Sequence, residues 1–253
     1  MKFVEPTQLK KKAQLPLLRL LDVCYGLGYN TAAALATIWT VNPSCYVEVV
    51  GLELNPAVPQ AAIAHQLLSC WMRDYTPILT QLATEHQVHT NRLKAALLIG
   101  DARATIRQVQ QSGFQADAIF LDPFSPPNCP QLWTMEFLER VSKCLCLGGI
   151  LATYSCAAAV RTALILAGLQ IGSTPPVGRR SPGTVASWIA TDDLPVLSEQ
   201  EQEHLLTRAA IPYRDPELSD SAAVILHRRL EEQHVSSLEP SSRWRKRNRP
   251  NGK

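Results

Sequence analysis

Residues 17–30, LLRLLDVCYGLGYN, decide the fold of this chain. The stretch begins with a nearly continuous apolar run, which is typical of a strand buried on both faces of a parallel sheet. The run ends at Asp22, and the chain then passes through Gly26 and Gly28 into the alanine-rich segment 31–36. Strand, glycine turn and helix in this order bring backbone N–H groups close to a nucleotide-like ligand. The stretch therefore predicts a nucleotide-binding α/β unit, and ordinary turn chemistry is the alternative interpretation.

The end of the turn favours one class of ligand. The turn lacks the last glycine of the dinucleotide pattern and carries Asn30 in this region, which favours S-adenosylmethionine (SAM) over NAD. Three further predicted strands also end in an acid, at Glu53, Asp101 and Asp122. Open α/β sheets bind ligands at the carboxyl ends of their strands, so we expect one acidic functional edge. The residues predicted there to line the SAM site are Gly26, Gly28, Glu53 (on the ribose hydroxyls) and Asp101 (near the adenine).

The composition indicates an ordinary globular chain. Its 253 residues are 46% apolar and 19% charged, enough for one large α/β domain or two small ones. No apolar run reaches the roughly 18 residues of a membrane helix, and the N-terminus has no secretory signal pattern. The seven cysteines include no CxxC pair. We therefore expect a cytoplasmic protein with reduced thiols, no metal site and no membrane partner.

The positive charge is concentrated at the C-terminus. The chain carries a net charge of +3, yet residues 243–253, RWRKRNRPNGK, hold six Lys or Arg and no acid. The rest of the chain is therefore mildly acidic. A basic tail attracts phosphate groups by counterion release, and a disordered, solubilising end is the alternative.

Strands and helices alternate along the chain. The predicted strands are 17–22, 46–52, 95–99, 116–121 and 150–154, the predicted helices are 31–36, 59–72, 103–111, 134–145 and 157–167, and a hairpin pairs 169–172 with 185–190. This pattern predicts a Rossmann-like SAM-dependent methyltransferase fold with seven mostly parallel strands and one antiparallel edge strand. Residues 73–94 fit neither pattern. The predicted domains are a lead (1–16), the methyltransferase domain (17–192), a helical extension (193–235) and a basic, disordered tail (236–253).

A proline-rich loop follows the fourth strand. It reads DPFSPPNCPQLW over residues 122–133. Proline lacks an N–H, so the loop offers mainly carbonyl acceptors, while Asp122 supplies a charge and Phe124 a stacking face. An acid, an aromatic ring and prolines at this place are typical of methyltransferases that act on amines. A rigid loop around a packed Phe and Trp is the alternative.

Three colinear motifs resemble the methyltransferase module of the tRNA 5-methylaminomethyl-2-thiouridine biosynthesis (MnmC-like) family. The family's G-F-G-T-G-L-N compares with CYGLGYN at 24–30, and its D-G-F-A-P-x-x-x-P-x-x-W compares with residues 122–133. Its G-G-T-L-A-T run compares with GGILATYSCAAAVRTALILAGLQI at 148–171. Cys24 departs from the family by replacing the first glycine. The chain also lacks the family's FAD-dependent oxidase module, so we expect a stand-alone methyltransferase.

The resemblance implies methylation of the 5-aminomethyl group of a tRNA wobble uridine, with the anticodon loop as partner and a separate enzyme supplying the aminomethyl group. It adds Asp22, Tyr25, Asn30 and Asp122 to the expected SAM site. The implied catalytic residues are Asp122 and Phe124, and the implied substrate-binding residues are Phe124, Pro126, Trp133, Arg179 and Arg180. Two alternatives remain open: a polyamine aminopropyltransferase, and a degenerate SAM-binding module without catalysis.

Overall fold

The structure, a computed structural model, describes residues 3–69, 75–178, 180–189 and 194–248. The chain forms two compact units. The first unit comprises residues 1–123 and 143–154, and the second comprises residues 124–142 and 155–253. The segment after Pro123 belongs to the same unit as the C-terminal residues, and the predicted domain boundaries stay a prediction.

The first unit is built on a mostly parallel sheet. Its strands are β1 (Leu17–Val23), β2 (Tyr46–Glu53), β3 (Gln87–His89), β4 (Leu93–Ile99), β5 (Ala116–Leu121) and β6 (Leu145–Thr153). They lie in the order β3-β4-β2-β1-β5-β6. β1 pairs in parallel with β2 and β5, which places its carboxyl end at the centre of the rim. Leu18, Leu20 and Leu21 are fully buried, as the apolar run predicts.

Helices cover the sheet of the first unit. They are α1 (Leu9–Lys12), α2 (Tyr29–Val41), α3 (Ala57–Ala64), α4 (Thr76–Glu85) and α5 (Ala102–Gln111). On α5 the buried residues Ala102, Thr105, Ile106 and Val109 follow the spacing of one helix face. The predicted helix 103–111 is thereby confirmed. The predicted helix 59–72 stops earlier, since α3 ends at Ala64 and residues 70–74 lie outside the described part of the chain.

The second unit contains a hairpin and most of the remaining helices. Its elements are a 3-10 helix (Pro130–Trp133), α6 (Met135–Ser142), α7 (Ala158–Leu166), β7 (Gln170–Thr174), β8 (Gly183–Ser187), α8 (Glu199–Leu205), a 3-10 helix (Arg208–Ala210), α9 (Ala222–Val235) and α10 (Ser241–Arg247). β7 and β8 are antiparallel, which confirms the predicted hairpin. Ser198 and Glu201 cap the start of α8 by exchanging side-chain-to-backbone bonds.

The predicted strand count is wrong. The sheet has eight strands, and antiparallel pairing joins β3 to β4 as well as β7 to β8. β3 has only three residues, too few to show the alternation by which a strand is recognised. The predicted helix 134–145 also ends early, since α6 ends at Ser142 and β6 begins at Leu145. Gly149 lies inside β6, where a Cβ would lie 2.7 Å from the Ala116 carbonyl oxygen, so this glycine permits β5 and β6 to pack closely.

The basic tail is ordered as far as the structure describes it. Disorder is predicted from residue 236 onwards, but α10 spans Ser241–Arg247. Its aromatic residue, Trp244, stacks on His204 of α8. Composition alone does not show such a contact, because the two rings are far apart in sequence. Residues 249–253, including Arg249, lie outside the described residues.

Candidate active site

The glycine turn after β1 requires its glycines. Gly26 and Gly28 have φ values of +57° and +83°, in the left-handed region where a side chain is strained. A Cβ on Gly28 would also lie 2.7 Å from the Tyr25 hydroxyl oxygen. Cys24 has a φ of +66°, so the residue that replaces the family's first glycine adopts a conformation that glycine prefers.

Tyr25 supports the turn from within. Its side chain is only 3% exposed, and its backbone N–H donates to the Leu52 carbonyl at 2.9 Å. Gly51 in β2 makes room for the ring, because a Cβ there would lie 3.0 Å from Tyr25 Cδ2. Burial raises the pKa of the Tyr25 phenol above its ordinary value, so the ring is neutral. In this conformation Tyr25 shapes the turn, and its predicted contact with the cofactor stays a prediction.

Glu53 ties the turn to the end of β2. Its Oε2 accepts a hydrogen bond from the Gly26 N–H at 2.8 Å, and its Oε1 accepts one from the Asn55 N–H at 3.0 Å. The residue is 9% exposed. Each carboxylate oxygen can accept more than one hydrogen bond, so Glu53 can bind two hydroxyl donors while it holds the turn. This geometry suits the predicted ribose contact.

Asp22 is the most perturbed acid of this rim. It is fully buried, and its Oδ2 accepts a hydrogen bond from the Thr31 hydroxyl at 2.7 Å. Its Oδ1 is also buried and has no hydrogen-bond partner among the described residues. Burial, with a further contribution from the charge of Asp122, raises the pKa of Asp22 to about 8 despite the bond from Thr31. Near neutral pH the carboxyl is therefore largely protonated, and Oδ1 is a buried polar atom without a partner among the described residues.

Asp122 lies beside this group at the end of β5. Its Oδ2 accepts a hydrogen bond from the Asn30 side-chain amide at 3.2 Å, and its backbone N–H donates to the Val23 carbonyl at 3.1 Å. The Tyr154 hydroxyl donates to the Pro123 carbonyl at 2.8 Å. The structure thus brings Asn30 and Asp122 into contact, and their place in the cofactor site stays a prediction. Tyr154 is a positioning residue that the sequence analysis did not identify. Its position directly after β6 is the sequence feature that could have indicated this role.

Asp101 has a structural role at the start of α5. Its side chain accepts from the Arg103 N–H at 2.9 Å and pairs with the Arg103 guanidinium at 2.7 Å. Burial opposes ionisation here, but these bonds and the charge of Arg103 hold the pKa of Asp101 below its ordinary value. Asp101 is therefore an ionised helix cap, and its predicted place near the adenine is not tested by these contacts.

In the second unit, the segment after Pro123 exposes one aromatic ring and buries another. Phe124 is 81% exposed, whereas Trp133 is fully buried. The Trp133 indole N–H donates to the Phe124 carbonyl at 2.7 Å, and Pro126 is buried as well. Trp133 has no face available to a base in this conformation, so of the two predicted stacking residues only Phe124 fits that role. Trp133 and Pro126 hold the backbone that presents Phe124.

The hairpin loop between β7 and β8 carries the two arginines predicted to contact substrate. Arg180 is exposed, and Arg179 lies outside the described residues. Arg161, only 2% exposed, holds the base of this hairpin through bonds to Ser173 at 3.2 Å and to Glu201 at 2.8 Å. Burial raises the pKa of Glu201, but bonds from Ser173, Ser198 and Arg161 outweigh it and lower that pKa to about 2. The pair therefore stays ionised at neutral pH.

Two other classes of site find no candidate in the described ranges. Among residues 3–69, 75–178, 180–189 and 194–248, no helix has the length and apolar character needed to cross a bilayer. The same ranges contain no group of three His, Cys, Asp or Glu residues arranged to hold a metal ion. The polar groups of the rim are instead those around Asp22, Glu53 and Asp122.

These residues fit SAM, which combines hydroxyl donors with positively charged ammonium and sulfonium groups. The left-handed glycines remove side chains from the turn, Glu53 retains acceptor capacity for hydroxyls, and the buried Asp22 Oδ1 lacks a partner in the described chain. Acidic groups at the rim also favour a cationic ligand.

Comparisons with known proteins identify similar methyltransferases. A protein family described as S-adenosyl-L-methionine-dependent methyltransferase matches residues 63–188. The crystal structure of MNMC2 from Aquifex aeolicus superposes with a TM-score of 0.76 and 33% identity, over 93% of this chain and 74% of that one.

Curated relatives are longer than this chain. The protein MJ0670 of Methanocaldococcus jannaschii is 30% identical over 236 residues, which cover 91% of this chain and 62% of that protein. The bifunctional tRNA 5-methylaminomethyl-2-thiouridine biosynthesis protein MnmC of Acidovorax sp. (strain JS42) is 30% identical over 174 residues. That match covers 64% of this chain and 26% of the relative, so it concerns about a quarter of the bifunctional protein. The chain belongs to the family of SAM-dependent methyltransferases represented by the methyltransferase domain of MnmC.

Proposed function

We propose that the protein transfers a methyl group from SAM to the primary amine of a 5-aminomethyluridine at the wobble position of tRNA. The product is 5-methylaminomethyluridine, with or without a 2-thio group. The observation that carries the proposal is the Asp122 carboxylate at the end of β5, held by the Asn30 amide. In the sequence Phe124 follows two residues later, and its side chain is 81% exposed. The names of the MnmC relatives support this substrate, because they refer to biosynthesis of that nucleoside.

The acceptor nitrogen must lose a proton before it reacts. A primary alkylamine has a pKa near 10, as for lysine, so it arrives mainly as an ammonium ion without a free lone pair. Asp122 is the group we assign to attract the ammonium and accept its proton. The bond from Asn30 fixes the carboxylate, and the bond from Tyr154 to Pro123 fixes the backbone that follows. Both bonds restrict the motion of Asp122 and its neighbouring backbone, so less entropy is lost when the amine is positioned for methyl transfer.

Bound SAM supplies an electrophilic methyl group on a positively charged sulfur. Glu53 and the glycine turn would hold its ribose end, and Asp22 Oδ1 provides a buried polar contact. The amine lone pair forms the new nitrogen–carbon bond while the carbon–sulfur bond breaks, and its electron pair stays on sulfur. The proton removed from nitrogen goes to Asp122 and then to solvent, which balances the reaction.

Phe124 and Arg180 are the residues we assign to the nucleotide. An unstacked anticodon base can stack on an exposed ring, a contact worth about 1–3 kcal/mol in single-strand recognition. Arg180 is exposed on its loop and suits a phosphate contact, and we extend the same expectation to Arg179. The aminomethyl group itself must come from a separate reaction that attaches aminomethyl to C5 of the uridine.

The role of Asp122 is tested by Asp122→Asn. Asn keeps the shape but neither attracts the ammonium nor accepts a proton, so we expect the transfer rate at saturating SAM to fall about 10²–10⁴-fold. SAM affinity by calorimetry should change much less than the rate. Asp220→Asn, which removes a carboxylate paired with Arg228 in the second unit, is the matched control. If Asp122→Asn lost SAM binding yet kept its rate at saturation, Asp122 would be a cofactor residue and the assignment would be wrong.

A further inference from the structure

We propose that α10 is a docked basic strip that binds the phosphate backbone of the tRNA substrate. The α10 strip consists of Arg243, Arg245 and Lys246, whose side chains are exposed. The inference rests on the proposed function, since it takes the substrate to be a tRNA. It goes further by assigning the affinity to a positioned surface instead of a flexible charged tail.

Contacts on one side of α10 fix the helix against α8. The Trp244 ring stacks on His204, with ring centroids 4.1 Å apart and planes inclined by 13°. The Asn248 side-chain amide donates to Glu203 at 3.2 Å. Within the segment that leads into α10, Arg247 pairs with Glu239 through two hydrogen bonds, one of them at 2.9 Å. Stacking and a paired Arg fork together hold a short helix more firmly than either contact alone.

Helix geometry then separates the docked residues from the strip. Residues three and four apart share a face, so Trp244, Arg247 and Asn248 lie together. Arg245 and Lys246 lie on the rest of the circumference, and the exposed Arg243, four residues before Arg247, lies at the edge of the docked face. Because Arg247 is neutralised by Glu239, the positive charge of α10 that remains for a partner is concentrated on the strip.

His204 contributes a ring to this contact without adding a charge. Burial lowers the pKa of His204 below its ordinary value, and the positive charges of Arg245 and Arg161 lower it further. The imidazole is therefore neutral near pH 7. The stack with Trp244 thus forms without placing another cation under the strip.

The chemistry of the exposed side favours RNA over a membrane surface. A helix that binds a bilayer needs an apolar face to insert, as well as cations. The apolar residue of α10 is Trp244, and it is used in docking, while Ser241 and Ser242 are polar. Phosphates along an RNA backbone fit several cations held at fixed spacing. A docked helix has also lost conformational freedom before binding, whereas a flexible tail would lose it on binding.

The test measures binding of fluorescent tRNA to the full chain by anisotropy over a range of salt concentrations. The strip variant Arg243→Gln/Arg245→Gln/Lys246→Gln should bind about tenfold more weakly. Its slope of log affinity against log salt should fall by roughly 2–3, since each lost phosphate contact removes about 0.7–0.9. Trp244→Ala keeps all three cations but removes the stack, and it should also weaken binding. Asn248→Ala, which removes the bond to Glu203 and keeps every cation of α10, provides a second undocking variant, and circular dichroism checks that each variant folds.

The matched control is Lys94→Gln/Arg107→Gln/Lys143→Gln, which removes three exposed cations from the first unit. Equal weakening by the control would overturn the inference, because net charge alone would explain the binding. Unchanged binding by folded Trp244→Ala and Asn248→Ala would overturn the docking. A strip variant that binds tRNA normally but no longer binds phosphatidylserine vesicles would overturn the assignment of RNA as the partner. Failure of the proposed function shows separately, as absence of methyl transfer to tRNA by the unmodified chain.

Discussion

Two loops of the molecule are each built around one buried aromatic residue, but they present different surfaces. In the turn after β1, Tyr25 is 3% exposed, whereas Gly26 beside it is partly exposed. In the segment after Pro123, Trp133 is fully buried and Phe124 is 81% exposed. One loop offers backbone and the other offers a ring face. The comparison shows that a buried aromatic residue near a site can serve as internal support while its neighbours contact the ligand.

The largest effect is expected at Asp22, at the entrance to the first loop. The pKa of Asp22 is about 8 in the folded chain and near 3.8 in the unfolded chain. The folded state therefore holds the proton more tightly, and the stability from this group is complete below about pH 4 and is lost as pH rises through about 8. Asp22→Asn, which stays neutral, should be more stable than the unmodified chain at pH 8, by several kcal/mol. The measurement is the free energy of unfolding by urea between pH 5 and pH 8.

Asp101→Asn serves as the control for that series. The pKa of Asp101 is below its ordinary value, so its contribution is already complete above about pH 4. The difference between this variant and the unmodified chain should be flat from pH 5 to pH 8. If the difference for Asp22→Asn were flat as well, Asp22 would be ionised in the folded chain.

Gly28→Ala should break the first loop. The alanine would have to adopt a φ of +83°, and its Cβ would lie 2.7 Å from the Tyr25 hydroxyl oxygen. Strain of about 1 kcal/mol and overpacking of about 1–3 kcal/mol should together weaken SAM binding by tens-fold or more in calorimetry. Gly113→Ala is the matched control, because Gly113 has a φ of +71° but no atom within 4 Å of the added Cβ. Equal SAM affinity in the two variants would show that the contact with Tyr25 is harmless.

Phe124→Ala should alter the second loop alone. Loss of a stacking face is expected to weaken tRNA recognition by about 1–3 kcal/mol, seen as a higher KM for tRNA. SAM affinity should stay the same, and Phe124→Tyr should retain most of the function. Leu230→Ala, which truncates a side chain that is 64% exposed on α9, is the control. A KM for tRNA unaffected by Phe124→Ala would remove Phe124 from the substrate site.

The smallest effect is expected from Cys24→Gly. Glycine relieves the strain of a φ of +66°, partly offset by its greater freedom in the unfolded chain, so we expect a gain of about 0.5–1 kcal/mol in stability. Thermal unfolding measures this gain. Gln66→Gly, at a φ of +54° outside the turn, should give a similar gain without changing SAM affinity. A loss of stability in Cys24→Gly would mean that the thiol makes a contact worth more than the strain.

The central strands and their acids could be predicted from sequence because the signal is local. β1 is an apolar run, and Asp22, Glu53 and Asp122 lie at or next to the carboxyl ends of their strands. The glycine turn adds a conformational requirement that few other residues meet. Local patterns of this kind place a residue at a rim without any knowledge of the rest of the fold.

The remaining features depend on partners that are distant in sequence. The Tyr154 hydroxyl bonds to a carbonyl 31 residues away, and Asn248 reaches Glu203 across 45 residues. The sequence of the proline-rich loop does not show that the Trp133 indole N–H donates to the Phe124 carbonyl, and so it does not predict that Trp133 is buried. The charge of the tail predicts disorder, because the sequence does not show that Trp244 stacks on His204.

The measurement that tests the account most directly is mass spectrometry of nucleosides from a tRNA that carries 5-aminomethyluridine at the wobble position. The tRNA is incubated with the unmodified chain and SAM, and in parallel with Asp122→Asn. We expect the unmodified chain to convert 5-aminomethyluridine into 5-methylaminomethyluridine, and Asp122→Asn to convert far less in the same time. A wobble nucleoside left unchanged by a folded chain that binds SAM would contradict the proposed function.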